Sequence, residues 1–368
     1  MHEQKISRAR FLAAAAAAGV AAATSANGAG AARPRGLTYR GVGYEVADGA
    51  TPHTGWNAAR MRADLGAIAD ELHASSVSVY GDGVERLART AAQAADRGLH
   101  VSLQPRLADV PQREILDHLA ETGRHAEQLR RDGADVELSV GAEFMLFVPG
   151  IVPGGDALER VDSLLTGRFD HARMQRRLDR FVAEAAAVGR SVFGGALTYG
   201  AAHDDRVDWS LFDVVSVNYY ADFARRAAHV RALARHRRWG KPVAISEFGT
   251  CTYAGAPRRG GMGWNVVDYS TNPERIAARL VRSERSQAEY IARMLDLFES
   301  IGLHAATVYN FVTPDAPHRR DPRYDLDLAS YAIVKPIWRT RERPTAGWHW
   351  ERKEAFRAVA RHYARFGV

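Results

Sequence analysis

The sequence predicts a single (β/α)8 barrel, and three observations point to it. Short β-rich runs alternate with long amphipathic helical runs, the pattern of a parallel sheet with crossover helices. About eight such pairs can be marked, which is the count of a closed barrel. The chain has 368 residues, and the roughly 335 that follow an N-terminal export segment suit one large barrel with insertions.

The first strand is read at Leu37 to Val46, with a helix over Trp56 to Ala74 whose Met61, Leu65, Ile68 and Leu72 recur at helical spacing. Ser76 to Tyr80 is the second strand, and its helix Val84 to Arg97 is closed by Gly98. His100 to Leu107 is the third, with Pro111 opening the next helix as a first-turn proline. Val136 to Glu143 is the fourth, followed by an extended Gly/Pro-rich loop, Phe144 to Gly167, and a helix near Phe169 to Val188. The fifth strand is expected at Ser191 to Tyr199, and the sixth at Asp213 to Tyr220 with a helix over Phe223 to Trp239. Pro242 to Gly249 is the seventh, and a second extended loop, Thr250 to Asn272, follows it. Pro273 is expected to start a long helix to Gly302, before an eighth strand at His304 to Val312 and a last helix at Lys353 to Phe366.

Composition narrows the function classes. Hydrophobic residues make up 46% and charged residues 25%, which excludes disordered, collagen-like and membrane-embedded chains. A lone cysteine, Cys251, allows neither an intrachain disulfide nor a multi-cysteine metal site. The net charge is +7, yet four lysines stand against 46 arginines, most of them scattered along helices among Glu and Asp. That usage reads as GC-rich coding with solvated helix faces, and no nucleic-acid partner is expected. Lys5, Arg8 and Arg10 precede an apolar run, Phe11 to Ala23, and a small-residue cleavage site at Ala29 to Ala31. Residues 1–35 are therefore read as export signal and linker, and 36–368 as the barrel. The segment Ser7 to Leu12 resembles a twin-arginine signal except that Ala9 separates the arginines, so export by that route or by ordinary secretion is expected. The apolar run is too short to hold the cleaved protein in a membrane.

In βα barrels the chemistry sits where the strands end. Those ends carry Tyr44 and Glu45, Tyr80 and Asp82, Gln104 and Arg106, Glu143, Tyr199, Asn218 with Tyr219 and Tyr220, Glu247, and Asn310. No Gly-rich phosphate loop, strand-end lysine or histidine cluster appears, so neither cofactor nor metal is expected. Glu143 and Glu247 each end an apolar strand abruptly, where a charge is costly unless paired or used. Two carboxyls facing one another across a barrel mouth are what glycosidic bond cleavage needs, one to protonate the leaving oxygen and one to attack.

Glu143 on the fourth strand and Ser246 to Gly249 on the seventh resemble the acid/base and nucleophile strands of the clan A retaining (β/α)8 glycoside hydrolases. Gly41 and Val42, the segment Val77 to Pro105, and Tyr219 with Tyr220 share in the resemblance. It implies an exported retaining hydrolase acting on a carbohydrate, with Glu143 as acid/base and Glu247 as nucleophile. It also implies that Tyr219 or Tyr220 hydrogen-bonds Glu247. Ala142 departs from the pattern, because most members place before the acid/base an Asn similar to a substrate 2-hydroxyl anchor; either Asn218 or Asn310 replaces it, or the substrate lacks the usual 2-hydroxyl arrangement, or activity has been lost. Trp264 and Tyr253 are candidate sugar-stacking groups, and the remaining strand-end residues candidate hydroxyl binders. The loops after strands four and seven would close one end of the cleft and favour exo action. A non-catalytic carbohydrate-binding barrel, and a barrel lyase or isomerase on a non-sugar substrate, stay open as alternatives.

Overall fold

The structure, a computed structural model, describes residues 36–202, 205–339 and 347–366, so the segment read as an export signal lies outside the described residues. Eight parallel strands close into a barrel in sequential order around the ring. They are Tyr39–Val46, Ser76–Gly81, His100–Pro105, Val136–Ala142, Leu197–Ala202, Val215–Asn218, Val243–Phe248 and Ala305–Val308. Helices Ala58–Gly66, Val84–Ala95, Gln112–Arg131, His171–Val192, Arg226–Ala234, Glu284–Ser300 and Glu354–Tyr363 ring the barrel, and the fifth-to-sixth connection carries, among its described residues, the 3₁₀ turn Trp209–Leu211. Outward-facing strand residues such as Val42, Val77, Val79 and Leu103 form the main core with these helices.

Two helices depart most from the sequence reading, and both departures have local causes. The helix expected to end near Val188 runs on to Val192, because Val182, Ala185, Ala186 and Gly189 continue its buried stripe. Gly189 is required there: a Cβ at this position would lie 2.9 Å from Leu197 and 3.0 Å from Val140. The fifth strand therefore begins at Leu197 and not at Ser191. Likewise the helix expected from Pro273 begins at Glu284, where Ser283 caps it by accepting from the Ser286 N–H. The residues before it carry the short antiparallel pair Val267–Asp268 and Arg275–Ile276. An antiparallel hairpin, Val334–Trp338 with Trp348–Arg352, was not expected.

Two features of the barrel prepare the site. Its interior is not the usual stack of branched apolar side chains. Serines and threonines from most strands, among them Ser76, Ser102, Ser139, Thr198, Ser246 and Thr307, line a cavity of about 20 Å³, room for an ordered water. In addition, the fourth and seventh strands each carry an extra residue relative to their neighbours. Ser139 pairs with Thr198 but Ala142 with Gly200, and Val217 pairs with Ile245 but Asn218 with Glu247. Such bulges re-aim side chains, and here each one immediately precedes a glutamate.

Strand alternation corrects one expected site residue. Tyr44 points out of the barrel into the main core, where its hydroxyl donates to Asp64 at 2.9 Å, and Trp350 donates to the other Asp64 oxygen at 2.8 Å. Burial raises the Asp64 pKa to about 6 against these two donors. The raised value means that the folded chain holds this proton more tightly than the unfolded one, so stability falls as pH rises from about 4 to about 6, by roughly 2–3 kcal/mol. Asp64→Asn is accordingly expected to raise Tm at pH 7.5 by several degrees and to leave it nearly unchanged at pH 4. Thermal melts at the two pH values check this, and equal effects at both would contradict it.

Candidate active site

Glu143 ends the fourth strand in a left-handed conformation, φ 43° and ψ 53°, which costs a non-glycine residue about 1–3 kcal/mol. Its backbone is held there from both sides. The Glu143 N–H donates to Gly200 O at 2.9 Å, and the next N–H, that of Phe144, donates to the Tyr199 hydroxyl at 2.9 Å. Tyr199 thus corrects a second expectation: it lies on the outer face against Phe144 and Phe212 and positions the Glu143 segment from behind.

The bulge in the seventh strand turns Glu247 inward, where each carboxyl oxygen meets a donor. Arg106, from the end of the third strand, donates to Oε1 at 2.6 Å, and Tyr220, beyond the end of the sixth, to Oε2 at 2.8 Å. Between the two expected tyrosines the structure chooses Tyr220. Tyr219 faces the opposite way, its hydroxyl 2.8 Å from Nδ1 of His229 and its ring against Phe298, because successive residues alternate sides. Arg106 is itself seated: its guanidinium lies 4.5 Å from the Tyr80 ring centre and donates to Gln104, which in turn donates to Ser139. Burial works against the Arg106 charge, but Glu247 and the tyrosines around it raise its pKa and keep it cationic.

Glu143 and Glu247 are 3% and 7% exposed, so both acids are withdrawn from bulk water. Burial, and next the facing charge of Glu247, push the Glu143 carboxyl well above the ordinary carboxylate range. Donation from Asn218 at 3.0 Å and the charge of Arg106 oppose that shift. Burial likewise raises Glu45, which lies near Arg106, Asp82 and Glu247. Asp82 stands beside it, paired with Arg86 at 2.9 Å. Asn310 donates to the Tyr80 hydroxyl and to Val312 O, both at 3.2 Å, so of the two candidate asparagines it is Asn218 that reaches Glu143.

The site is roofed by a second apolar cluster. It joins Leu146 and Phe147 from the loop after the fourth strand, Tyr253 and Trp264 from the loop after the seventh, and Tyr309 and Tyr331 with Tyr80 and Tyr220. Cys251 is buried in the same cluster, and burial raises its thiol pKa far above neutrality. Among the described residues no group of three or more His, Cys, Asp or Glu is placed to hold a metal ion, and no helix is long and apolar enough to cross a membrane.

The fold is shared with solved structures of very different sequence. A GH113 β-1,4-mannanase superposes with a TM-score of 0.57 at 15% identity, covering 89% of this chain and 99% of its own. The GH113 β-mannanase AaManA from Alicyclobacillus acidocaldarius gives 0.55 at 16%, covering 89% and 98%. The exo-β-1,4-mannosidase Op5Man5 from Opitutaceae bacterium strain TAV5 gives 0.55 at 13%, covering 90% and 60%. At these identities the likeness is one of fold. No protein-family model matches the sequence, and no curated protein matches it.

Sequence reasoning did not single out Ser139, Ser246, Asp205 or Tyr309. Ser246 was visible only as part of the Ser-Glu-Phe-Gly run, and the bulge that sets Glu247 beside it on the inner side has no local sequence signal. Asp205 lies after the fifth strand, beside Tyr199 and within electrostatic reach of Glu143. If Tyr220 orients Glu247, Tyr220→Phe is expected to lower kcat by about 10–100-fold with little change in KM, the loss of one hydrogen bond to a charged group. Steady-state kinetics on the best available glycoside check this, and a change confined to KM would contradict it.

Proposed function

We propose that this chain is a retaining glycoside hydrolase, with Glu143 as acid/base and Glu247 as nucleophile. The observation that carries the reading is the asymmetry of two buried carboxyls at one barrel mouth. Glu143 sits where the protonated form is favoured, and Glu247 has a cation and a phenol donating to its two oxygens. Environments that differ in this way assign acid and nucleophile.

In the first step Glu143 gives its proton to the glycosidic oxygen while Glu247 attacks the anomeric carbon. The alcohol leaves and a glycosyl ester of Glu247 remains. In the second, Glu143 takes a proton from a water that attacks the same carbon, and Glu247 is released as carboxylate. The aromatic roof and the low exposure of both acids support attack on a terminal sugar, since an internal unit of a polymer needs a groove open at both ends. The roof is pinned: Tyr331 donates to Gly260 O and accepts from the Gly263 N–H, and Tyr253 donates to Gly263 O. The mannanase and mannosidase activities of the neighbours make β-mannosides the first substrates to try.

The test is a panel of 4-nitrophenyl glycosides and β-1,4-linked manno-oligosaccharides, with the first-formed anomer read by proton NMR. Retention, with single sugars released from chain ends, is the expected result. An inverted first product would remove the nucleophile assignment, and early mid-chain fragments would remove the exo reading. Saturable glycan binding without turnover would make the chain a carbohydrate-binding barrel. We further assign the protein to the extracytoplasmic space on its N-terminal segment, Lys5 to Ala31. Cell fractionation checks this, and full-length chain confined to the cytoplasm would contradict it.

A further inference from the structure

Ala142 offers Glu143 no polar side chain, and the amide that reaches Glu143 is Asn218 at the end of the sixth strand. Asn218 is 2% exposed and donates to Glu143 Oε1 at 3.0 Å. A carboxamide is nearly symmetric in shape, but its two ends are chemically opposite. Turned over, it would present an oxygen to the carboxyl in place of a donor. The choice is made by Ser246, whose hydroxyl donates to Asn218 Oδ1 at 2.7 Å and so holds the amide nitrogen toward Glu143. Ser246 reaches this position because the bulge in the seventh strand places it and Glu247 together on the inner side. Its other neighbour is the water-sized cavity that it lines below the site.

We propose that Ser246, the residue next to the nucleophile, is a positioning residue for the acid/base: through the Asn218 amide it fixes the donor that Glu143 receives. The catalytic consequence rests on the function proposed above, but the relay itself is a property of the resting protein. The other titratable groups around Glu143 are Glu247 from the seventh strand, Arg106 after the third, Asp205 after the fifth and Tyr220 after the sixth, with Tyr199 of the fifth behind it. Of these Glu247 and Asp205 favour its protonated form and Arg106 its ionised form. A lost Asn218 donor therefore moves the balance toward the protonated acid.

The experiment titrates Glu143 by isotope-edited infrared difference spectroscopy in the whole chain without substrate, each variant being compared with its own Glu143→Gln partner. Asn218→Ala is expected to raise the Glu143 midpoint by about one pH unit and Ser246→Ala by about half as much. Ser246→Thr keeps a hydroxyl and is expected to titrate as the parent does. Ser216→Ala, which removes another hydroxyl lining the cavity, is expected to do the same. The relay is overturned if Ser246→Ala titrates like the parent, or if Ser216→Ala shifts Glu143 equally, which would report cavity polarity alone. Should Asn218→Ala fold poorly, the Ser246→Ala and Ser246→Thr pair decides the matter. Absence of hydrolysis on every glycoside tried would count against the proposed function and leave the titration result standing.

Discussion

Glu247→Ala is expected to lower kcat/KM on an aryl glycoside by roughly 10⁴-fold or more, and added azide is expected to restore turnover as a glycosyl azide of inverted configuration. Removing the side chain leaves a small space bordered by the donors of Arg106 and Tyr220, which suits a small anion. The same change strands the Arg106 charge, whose side chain is 7% exposed, so a loss of about 3–5 kcal/mol of stability is expected with it. Glu247→Gln keeps the volume and an acceptor oxygen for Arg106, and separates the chemical effect from the structural one. Parental turnover by Glu247→Gln on its best glycoside would rule out the nucleophile assignment.

Replacement of Glu143 has a different signature. Glu143→Ala is expected to cost about 10²–10⁴-fold on substrates with poor leaving groups and much less on dinitrophenyl glycosides, which leave without a proton. The sign of the pH effect follows from its environment. Its folded pKa lies above the ordinary range, so the acid is loaded at low and moderate pH, and kcat/KM falls as pH rises through that value. In Glu143→Ala the alkaline limb is expected to vanish, and azide to give a product of retained configuration. The pH profiles of parent and variant on one activated glycoside check this. An alkaline limb that survived unchanged would place the catalytic proton on another group, with Glu45 the nearest candidate because burial raises it too.

Much of the fold could be read from the sequence because its cause is local. Alternating strand and helix runs leave few topologies other than a barrel. Helix boundaries were less legible where a polar cap competed with an apolar period: Ser283 and not Pro273 starts the last long barrel helix, since a cap hydroxyl satisfies an end N–H that proline only lacks. The hairpin of Val334–Trp338 with Trp348–Arg352 was not legible because distant packing stabilises it, as in Trp350 against Phe311 and Asp64.

The site divides along the same line. The residues themselves determined which groups were on offer: two strand-end glutamates, an arginine, tyrosines and amides at the ends of predicted strands. The tertiary structure decided which of them meet. A one-residue bulge in the seventh strand turned Glu247 inward and a left-handed backbone aimed Glu143, while ordinary alternation on the first, fifth and sixth strands sent Tyr44, Tyr199 and Tyr219 outward and kept Tyr220 at the site. Strand periodicity is two, so a single inserted residue reverses every side chain beyond it. A bulge is fixed by pairing with neighbouring strands distant in sequence, and only the closed barrel supplies those partners.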